Sequence, residues 1–356
     1  MDSAEVKEIK ASYESHFGRK IAFLGVVTVL LVVLAVFSLG IGAVNFSFLE
    51  TSRALVGGGS QMARTIIWNI RAPRVLTAIL VGSGLAVAGA ALQSLLRNPL
   101  ASPYTLGISH AAAFGAAFSL VVLGAGSSGG GESGVILTNP YITALSAFSW
   151  SLLAVMVIVL LGKYKNASPV TLILTGIALG SLFTAGYTVM QYFADQTQLS
   201  SIVFWTFGDV GRTNWIQLTV IAAAVVPISL YFIYRSWSFR AMSSGDETAR
   251  SLGVNPSRLR LTGTLLSGFV TALMVSFVGV IGFVGLVVPH IVRRCIGGEE
   301  RYLVPSSCLV GSLLLLGSDS AARTVAAPIV LPVGILTSFL GVPLFIYLVI
   351  RGKGYW

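Results

Sequence analysis

RAPRVLTAILVGSGLAVAGAALQSLLRNPLASPYTLG, residues 71–107, carries two arginines around a proline and then no charged residue from Val75 to Leu96. Arg97 closes the run and Asn98-Pro99-Leu100 breaks it. A helix rising ~1.5 Å per residue crosses a ~30 Å hydrocarbon core in about this length. Gly82, Ala86, Ala90 and Ser94 follow one another at four-residue spacing. Small residues so placed let two helix backbones approach closely inside a membrane. The run therefore reads as a helix packed within a bundle. A buried helix of a soluble protein is the alternative, and it is disfavoured because similar runs recur along the chain.

Composition agrees. Of 356 residues, 55% are hydrophobic and 10% charged, where a soluble domain has ~25% charged. Mean hydropathy is +0.85. Alternating ten-residue segments with tight polar turns, the mark of a membrane barrel, are absent from the sequence. The net charge of +10 reads as basic residues gathered on the cytoplasmic side and not as a nucleic-acid surface. Cys295 and Cys308 stand 13 apart without a histidine pair and read as free thiols. The polar residues before the first apolar run lack the pattern of a cleavable signal peptide.

Ten apolar runs follow in order: 21–44, 75–96, 104–123, 141–161, 170–193, 215–234, 261–280, a short one within 281–294 split by Pro289, 302–325 and 333–350. Residues 1–20 form a polar cytoplasmic segment, and 21–352 a single transmembrane domain. Residues 45–70, with Phe48 and Trp68, are expected to lie along the membrane surface. GAGSSGGGESG, 124–134, is a flexible loop. Residues 194–213 fit an interfacial turn or short helix, and 235–260 a cytoplasmic loop. With both ends inside, seventeen of the 23 Lys and Arg face the cytoplasm. That bias supports an even count of spans.

Nucleotide chemistry is missing. Gly162-Lys163 is followed by Tyr164, and Val157 stands where a phosphate-cradling loop needs glycine. ATP, if it powers transport, is hydrolysed by another subunit. In the loop SSGDETARSLGVNP, 243–256, Ser244 or Asp246 can cap a short helix that Gly253 ends in a left-handed turn. That would leave Leu252 and Val254 to a partner's groove; a solvated connector is the plainer reading. In GFVGLVVPHIVRR, 282–294, Pro289 should break or kink the helix. His290 reads as bonded to backbone more readily than as a proton relay. Asp319 is an intramembrane carboxylate placed near the outer end, within reach of Arg323 at i+4.

Three of these stretches, the 71–107 segment, GDETARSLGV and GFVGLVVPHIVRR, together with LPVGILTSFLGVPLFIYLVIR at 331–351, resemble the FecCD family over residues 20–352. Those are permeases of ATP-binding-cassette importers for iron-siderophores, haem and cobalamin. The resemblance implies ten spans per subunit, a homodimer with the path on its axis, two cytoplasmic ATP-binding subunits and an extracytoplasmic substrate-binding protein. By the same resemblance Arg71, Arg74 and Arg323 dock the binding protein, and Asn98 and Leu100 form a cytoplasmic gate. Ser168 lies at a second constriction, where Pro169 departs from the small hydroxyl residue expected. Asp246, Glu247, Arg250, Leu252 and Gly253 form the helix coupled to the ATPase.

The sequence thus reads as an all-α polytopic permease of the cytoplasmic membrane, surrounded by lipid, with no cofactor, resident metal or nucleic-acid partner. It makes and breaks no bonds in its substrate. A path lined by small and aliphatic residues suits a bulky chelate better than a bare ion. An ion-coupled secondary transporter would need buried ionisable residues and broken helices in matched halves. Asp319 and His290 are the candidates for such a role, and matched halves are not seen. A membrane-embedded enzyme would need a Ser/His/Asp or metal cluster, which the sequence does not offer. Siderophore, haem, cobalamin and molybdate remain open as substrates.

Overall fold

The computed structural model describes residues 3–42, 44–125, 139–327 and 329–351. Most of the expected loop at 124–134 lies outside them. All regular elements among the described residues are helical. Apolar runs become α1 (Ser3–Gly40), α4 (Ala72–Leu96), α5 (Ile108–Val121), α6 (Pro140–Tyr164), α7 (Pro169–Phe193), α9 (Trp215–Tyr234), α12 (Pro256–Val278), α13 (Val284–Ile296), α14 (Glu300–Ala322) and α15 (Val333–Arg351). Between them lie α2 (Phe48–Leu55), α3 (Gln61–Ile66), α8 (Gln196–Thr206), α10 (Ser236–Ser243) and α11 (Asp246–Ser251). Among the described residues, seven helices are long and apolar enough to cross a membrane.

Several boundaries depart from the sequence reading. The first helix begins at Ser3, not near residue 21. Residues 3–20 contain Ala, Glu and Lys and no proline, so nothing stops helix propagating into them. The second run extends back through α3 and a π-turn, Ile67–Arg71, giving a 36-residue helical stretch, Gln61–Leu96. The third shortens to 14 residues, because Ser102 and Thr105 bond to each other's backbone and hold 102–107 as a turn. Pro289 does not break α13: the helix runs through it, forgoing one ladder bond while the rest continue. At 13 residues α13 is only about two-thirds of a bilayer crossing.

Helix α4 is the centre. It touches α14, α12, α13 and α9, and Gly82, Ala86, Ala90 and Ser94 are all buried. A Cβ at Gly82 would stand 2.3 Å from the Gly311 carbonyl oxygen of α14, and one at Gly89 1.8 Å from that of Gly285 in α13. These crossings bring backbone against backbone, which only a hydrogen side chain permits. Helix α5 packs on α6 and α7 as a second group joined through α12. Since lipid is as apolar as leucine, packing and hydrogen bonds drive such association. Ser146 Oγ donates to Gly115 O at 2.6 Å, Ser151 Oγ to Ile108 O at 3.2 Å and Ser312 Oγ to Ile79 O at 2.9 Å. Bonds of this kind contribute ~0.6 kcal/mol each on average.

Candidate functional site

At the C-terminal end of α4, Arg97 takes a left-handed conformation, φ 47°, and turns the chain away. The Leu100 amide then donates to Asn98 Oδ1 at 2.8 Å, fixing a tight turn. Leu100 stays half exposed. Asn98 and Leu100 both line a cavity of about 770 Å³ between this turn and α7. Ser168 is not among its lining residues: it sits half-buried at the head of α7 beside Ala167. The structure thus brings two of the three expected gate residues together and leaves the third apart.

Beside this turn stands α11. Its expected cap is corrected: Gly245, at φ 115°, precedes the helix without a side-chain cap, and Ser244 ends α10 instead. Asp246 is drawn elsewhere. Its carboxylate accepts from Arg260 Nη2 at 2.9 Å and Nη1 at 3.3 Å, and pairs with Arg97. The hydrogen bond from Arg260 is the largest cause holding the Asp246 carboxyl below its ordinary range. Arg260 is fully buried and also donates to Leu95 O and Ala167 O, each at 2.9 Å. One guanidinium therefore ties α11 to the ends of α4 and α7. Glu247, Arg250, Leu252 and Gly253 face outward, and Gly253 adopts the expected left-handed turn at φ 79°. Val254 does not present itself to a partner: it packs on the cluster containing Phe232, Phe239 and Met242. Arg260 was missed in the sequence because it looks like one more basic loop residue. Its signal is the apolar pair, Leu259 and Leu261, on either side.

At the opposite end of α4, Arg71, Arg74 and Arg323 do converge, but inward. A guanidinium at the end of an apolar run is ordinarily placed to reach water; here the side chains turn away from it. Arg71 is buried and donates to Leu39 O and Gly40 O, each at 2.8 Å, and to Val44 O. Arg323 donates to Ile41 O at 2.8 Å, Ser38 O at 3.1 Å and Ser38 Oγ. Asp319, 0% exposed, lies between two of them. It meets Arg323 Nε at 3.1 Å, as its i+4 spacing suggested, and also Arg74 Nε at 2.9 Å and Nη2 at 2.8 Å. Asp209 adds a contact to Arg74 Nη2 at 3.3 Å. The cause is geometric: the end of α1 and the residues just after it offer carbonyls to Arg71 and Arg323, while Arg74 is held by the two carboxylates.

Between the two ends runs a wall of cavities. The 770 Å³ cavity is followed by one of about 310 Å³, with which it shares Tyr104, His110 and Thr184. A third of about 550 Å³ reaches Phe207, Gly282 and Ser338 and shares Tyr104, Thr206 and Val280 with the second. Tyr104 thus borders all three. His290 Nε2 lies 3.1 Å from Pro99 O, the backbone bond expected of it. His110, which drew no attention in the sequence, packs its ring on Tyr104 at 4.9 Å between centroids.

The chain matches the model of the FecCD transport family over residues 30–351. It is 47% identical over 346 residues to a Methanocaldococcus jannaschii protein named provisionally as an ABC transporter permease, covering 97% of this chain and 98% of that one. It is 39% identical to the hemin transport system permease of Yersinia pestis over 93% of this chain and 96% of the other. Among solved structures, an inward-facing ABC transporter, assigned provisionally to the metal-chelate type, superposes with a TM-score of 0.80 at 33% identity. That match covers 92% of this chain and 99% of the other.

Proposed function

The chain belongs to the FecCD transport family, and from that premise we propose that it is the membrane-spanning subunit of an ATP-binding-cassette importer for a metal chelate. The observation that carries the reading is the row of three cavities joined through Tyr104, with Asn98 and Leu100 at one end. Its wall is mainly aliphatic, hydroxyl and glycine, which suits a large, largely apolar-sided solute. A hemin permease among the relatives and a metal-chelate-type transporter among the structures support the same class; which chelate is carried is left to a binding protein.

Taken as ten crossings, with the short α5 and α13 completed by the residues flanking them, α1, α4–α7, α9 and α12–α15 put both termini on the cytoplasmic side, the arrangement the charge bias favours. Two copies place their cavity walls about a common axis. Asn98 and Leu100 close that path on the cytoplasmic side, and Ser168 at the head of α7 belongs to a second, separate constriction. Glu247, Arg250, Leu252 and Gly253 form the contact for an ATPase subunit, and Asp246 transmits its motion through Arg260 to α4 and α7. Arg71, Arg74 and Arg323 serve docking of an external binding protein from within, by holding the surface that meets it.

The test is reconstitution with the chain's own ATPase and binding-protein partners in liposomes. ATPase activity should rise with one member of a panel of siderophore, haem, cobalamin and molybdate substrates, and that member should accumulate inside. Uptake driven by a proton or sodium gradient without ATP would refute the reading in favour of a secondary transporter.

A further inference from the structure

The third cavity, about 550 Å³, is lined by four aromatic rings, Tyr104, Phe207, Phe283 and Phe339. Among the described residues, none that lines it is charged. Its two aliphatic hydroxyls are already engaged: Thr206 Oγ1 donates to Val203 O at 2.8 Å and Ser338 Oγ to Gly334 O at 2.9 Å. The rings are within reach of a solute, with Phe339 73% exposed and Phe207 and Phe283 half-buried. Yet none of the four stacks on another of the four. Phe207 meets Phe204 edge-on and Tyr104 meets His110, while among the described residues Phe283 and Phe339 have no ring partner. Aromatic side chains gain by pairing, so two rings left unpaired at one cavity point to a partner from outside the chain.

The backbone of Phe283 adds a second, independent observation. Its φ of 64° is a left-handed conformation that a bulky residue avoids. Glycine, which tolerates it, stands one place earlier, at 282. The conformation is held by its surroundings: a Cβ at Gly341 of α15 would lie 2.5 Å from the Phe283 Cβ, so α15 omits a side chain where this one packs. Strain of this kind persists where a side chain is positioned for a task.

We propose that this cavity is a recognition site for the flat face of a planar aromatic chelate, the tetrapyrrole class, with Phe283 and Phe339 as the rings that pack on it. This rests on the reading of the chain as a chelate permease, and it adds a selection by the chain itself to any made by a binding protein. An aromatic plate gains both contact area and offset or edge-to-face stacking against such walls. Polar groups on the plate's rim face the second cavity, whose lining includes the hydroxyls of Ser109, Thr184 and Tyr187. Ferric citrate and molybdate carry their charge on the outside, offer no aromatic face and meet no cation in this lining.

The experiment uses the full-length protein in phosphatidylcholine nanodiscs, with binding read by equilibrium dialysis and that of empty nanodiscs subtracted. The probes are haemin, metal-free protoporphyrin, ferric citrate and molybdate. The expected result is saturable binding of haemin and protoporphyrin with similar affinity, and none of the other two. Phe283→Gly removes the ring at a position whose backbone suits glycine, and Phe339→Leu keeps apolar bulk without the ring. Each should weaken both porphyrins ~5-fold, with monodisperse elution reporting that the variant is folded. Phe193→Leu, which removes a 70% exposed ring of α7 outside the three cavities, should change nothing. The inference is overturned if porphyrins bind no better than to empty nanodiscs, or if haemin binds and protoporphyrin does not, which would assign recognition to the metal. It is equally overturned if Phe339→Leu binds like wild type, or if Phe193→Leu weakens binding as much, since the plate then sits among boundary lipid. ATPase activity of the wild-type complex with its partners is measured in parallel. Stimulation by a substrate without an aromatic face, in the absence of porphyrin binding, leaves the permease reading standing and removes this one. Stimulation by no member of the panel removes the permease reading, and the transport role of this site with it.

Discussion

Replacing Asp319 should be among the most damaging single changes of charge in this chain. The carboxylate is 0% exposed and receives Arg74 through Nε at 2.9 Å and Nη2 at 2.8 Å, and Arg323 through Nε at 3.1 Å. Removing one partner of a buried pair costs ~3–5 kcal/mol, because a charge is left uncompensated. The two arginines are not equally exposed to this loss. Arg323 keeps Ser38 O, Ser38 Oγ and Ile41 O. Arg74 keeps only the longer contact to Asp209, at 3.3 Å. The deficit therefore falls on Arg74, and Asp319→Leu should cost about 3 kcal/mol, the lower end of that range. Asp319→Asn, which retains one acceptor oxygen, should cost about 2 kcal/mol. The second substitution compensates: adding Arg74→Met to Asp319→Leu removes the stranded guanidinium and should recover most of the loss. Equilibrium unfolding in mixed detergent, followed by tryptophan fluorescence, reads all three. An Asp319→Asn protein within ~0.5 kcal/mol of wild type, or a double variant no more stable than Asp319→Leu, would refute the reasoning.

Other consequences follow from the same contacts. Gly89→Val should prevent folding, since even a Cβ would lie 1.8 Å from Gly285 O; the check is loss of the monodisperse peak in detergent, and normal elution would contradict the crossing. Asp246 has its carboxyl held below the ordinary range by Arg260, so the anchor is complete above ~pH 4 and is lost only as pH falls through the lowered value. Tryptic cutting after the exposed Arg250, taken relative to an unstructured arginine peptide at each pH, should accordingly be the same at pH 8 and pH 6 in wild type and faster at both in Asp246→Asn. Leu100→Ala should raise the ATP-independent leak of small solutes from liposomes, and an unchanged leak would count against Leu100 as a gate. A cysteine at exposed Ser244 should resist impermeant thiol reagents in intact cells and react in inside-out vesicles; the opposite pattern would invert the topology.

The helical core was legible because its signal is local. Val75–Leu96 advertises both its length and its small-residue face, and the structure buries that face. What failed were features decided at long range. Arg71, Arg74 and Arg323 sit at the ends of apolar runs, which is where water is normally within reach. Only the carbonyls of Ser38, Leu39, Gly40, Ile41 and Val44, offered to Arg71 and Arg323, and the arrival of Asp319 at Arg74 from 245 residues away, turn them inward. Arg260 was read as loop charge because its partners, Leu95 O, Ala167 O and Asp246, come from three separate segments. Val254 was offered to a partner that its own bundle replaces. His110 gives no pattern in sequence, because a single imidazole among alanines acquires meaning only from the cavities beside it.

The placing of α4 at the centre also has a consequence in time. Ser312 Oγ reaches Ile79 O across 233 residues, and the Gly311 backbone fills the notch at Gly82. During synthesis α4 therefore enters the membrane long before the helix that completes its surroundings exists. Its notched face must wait, covered by lipid or by the insertion machinery, until α13 and α14 emerge. The core is thus the last part of this protein to be finished, although its central helix is among the first to be made. A chain released before α13 would contain α4 with α9 and α12 against it but with its notched face uncovered, and membrane quality control should recognise it by that unfilled groove.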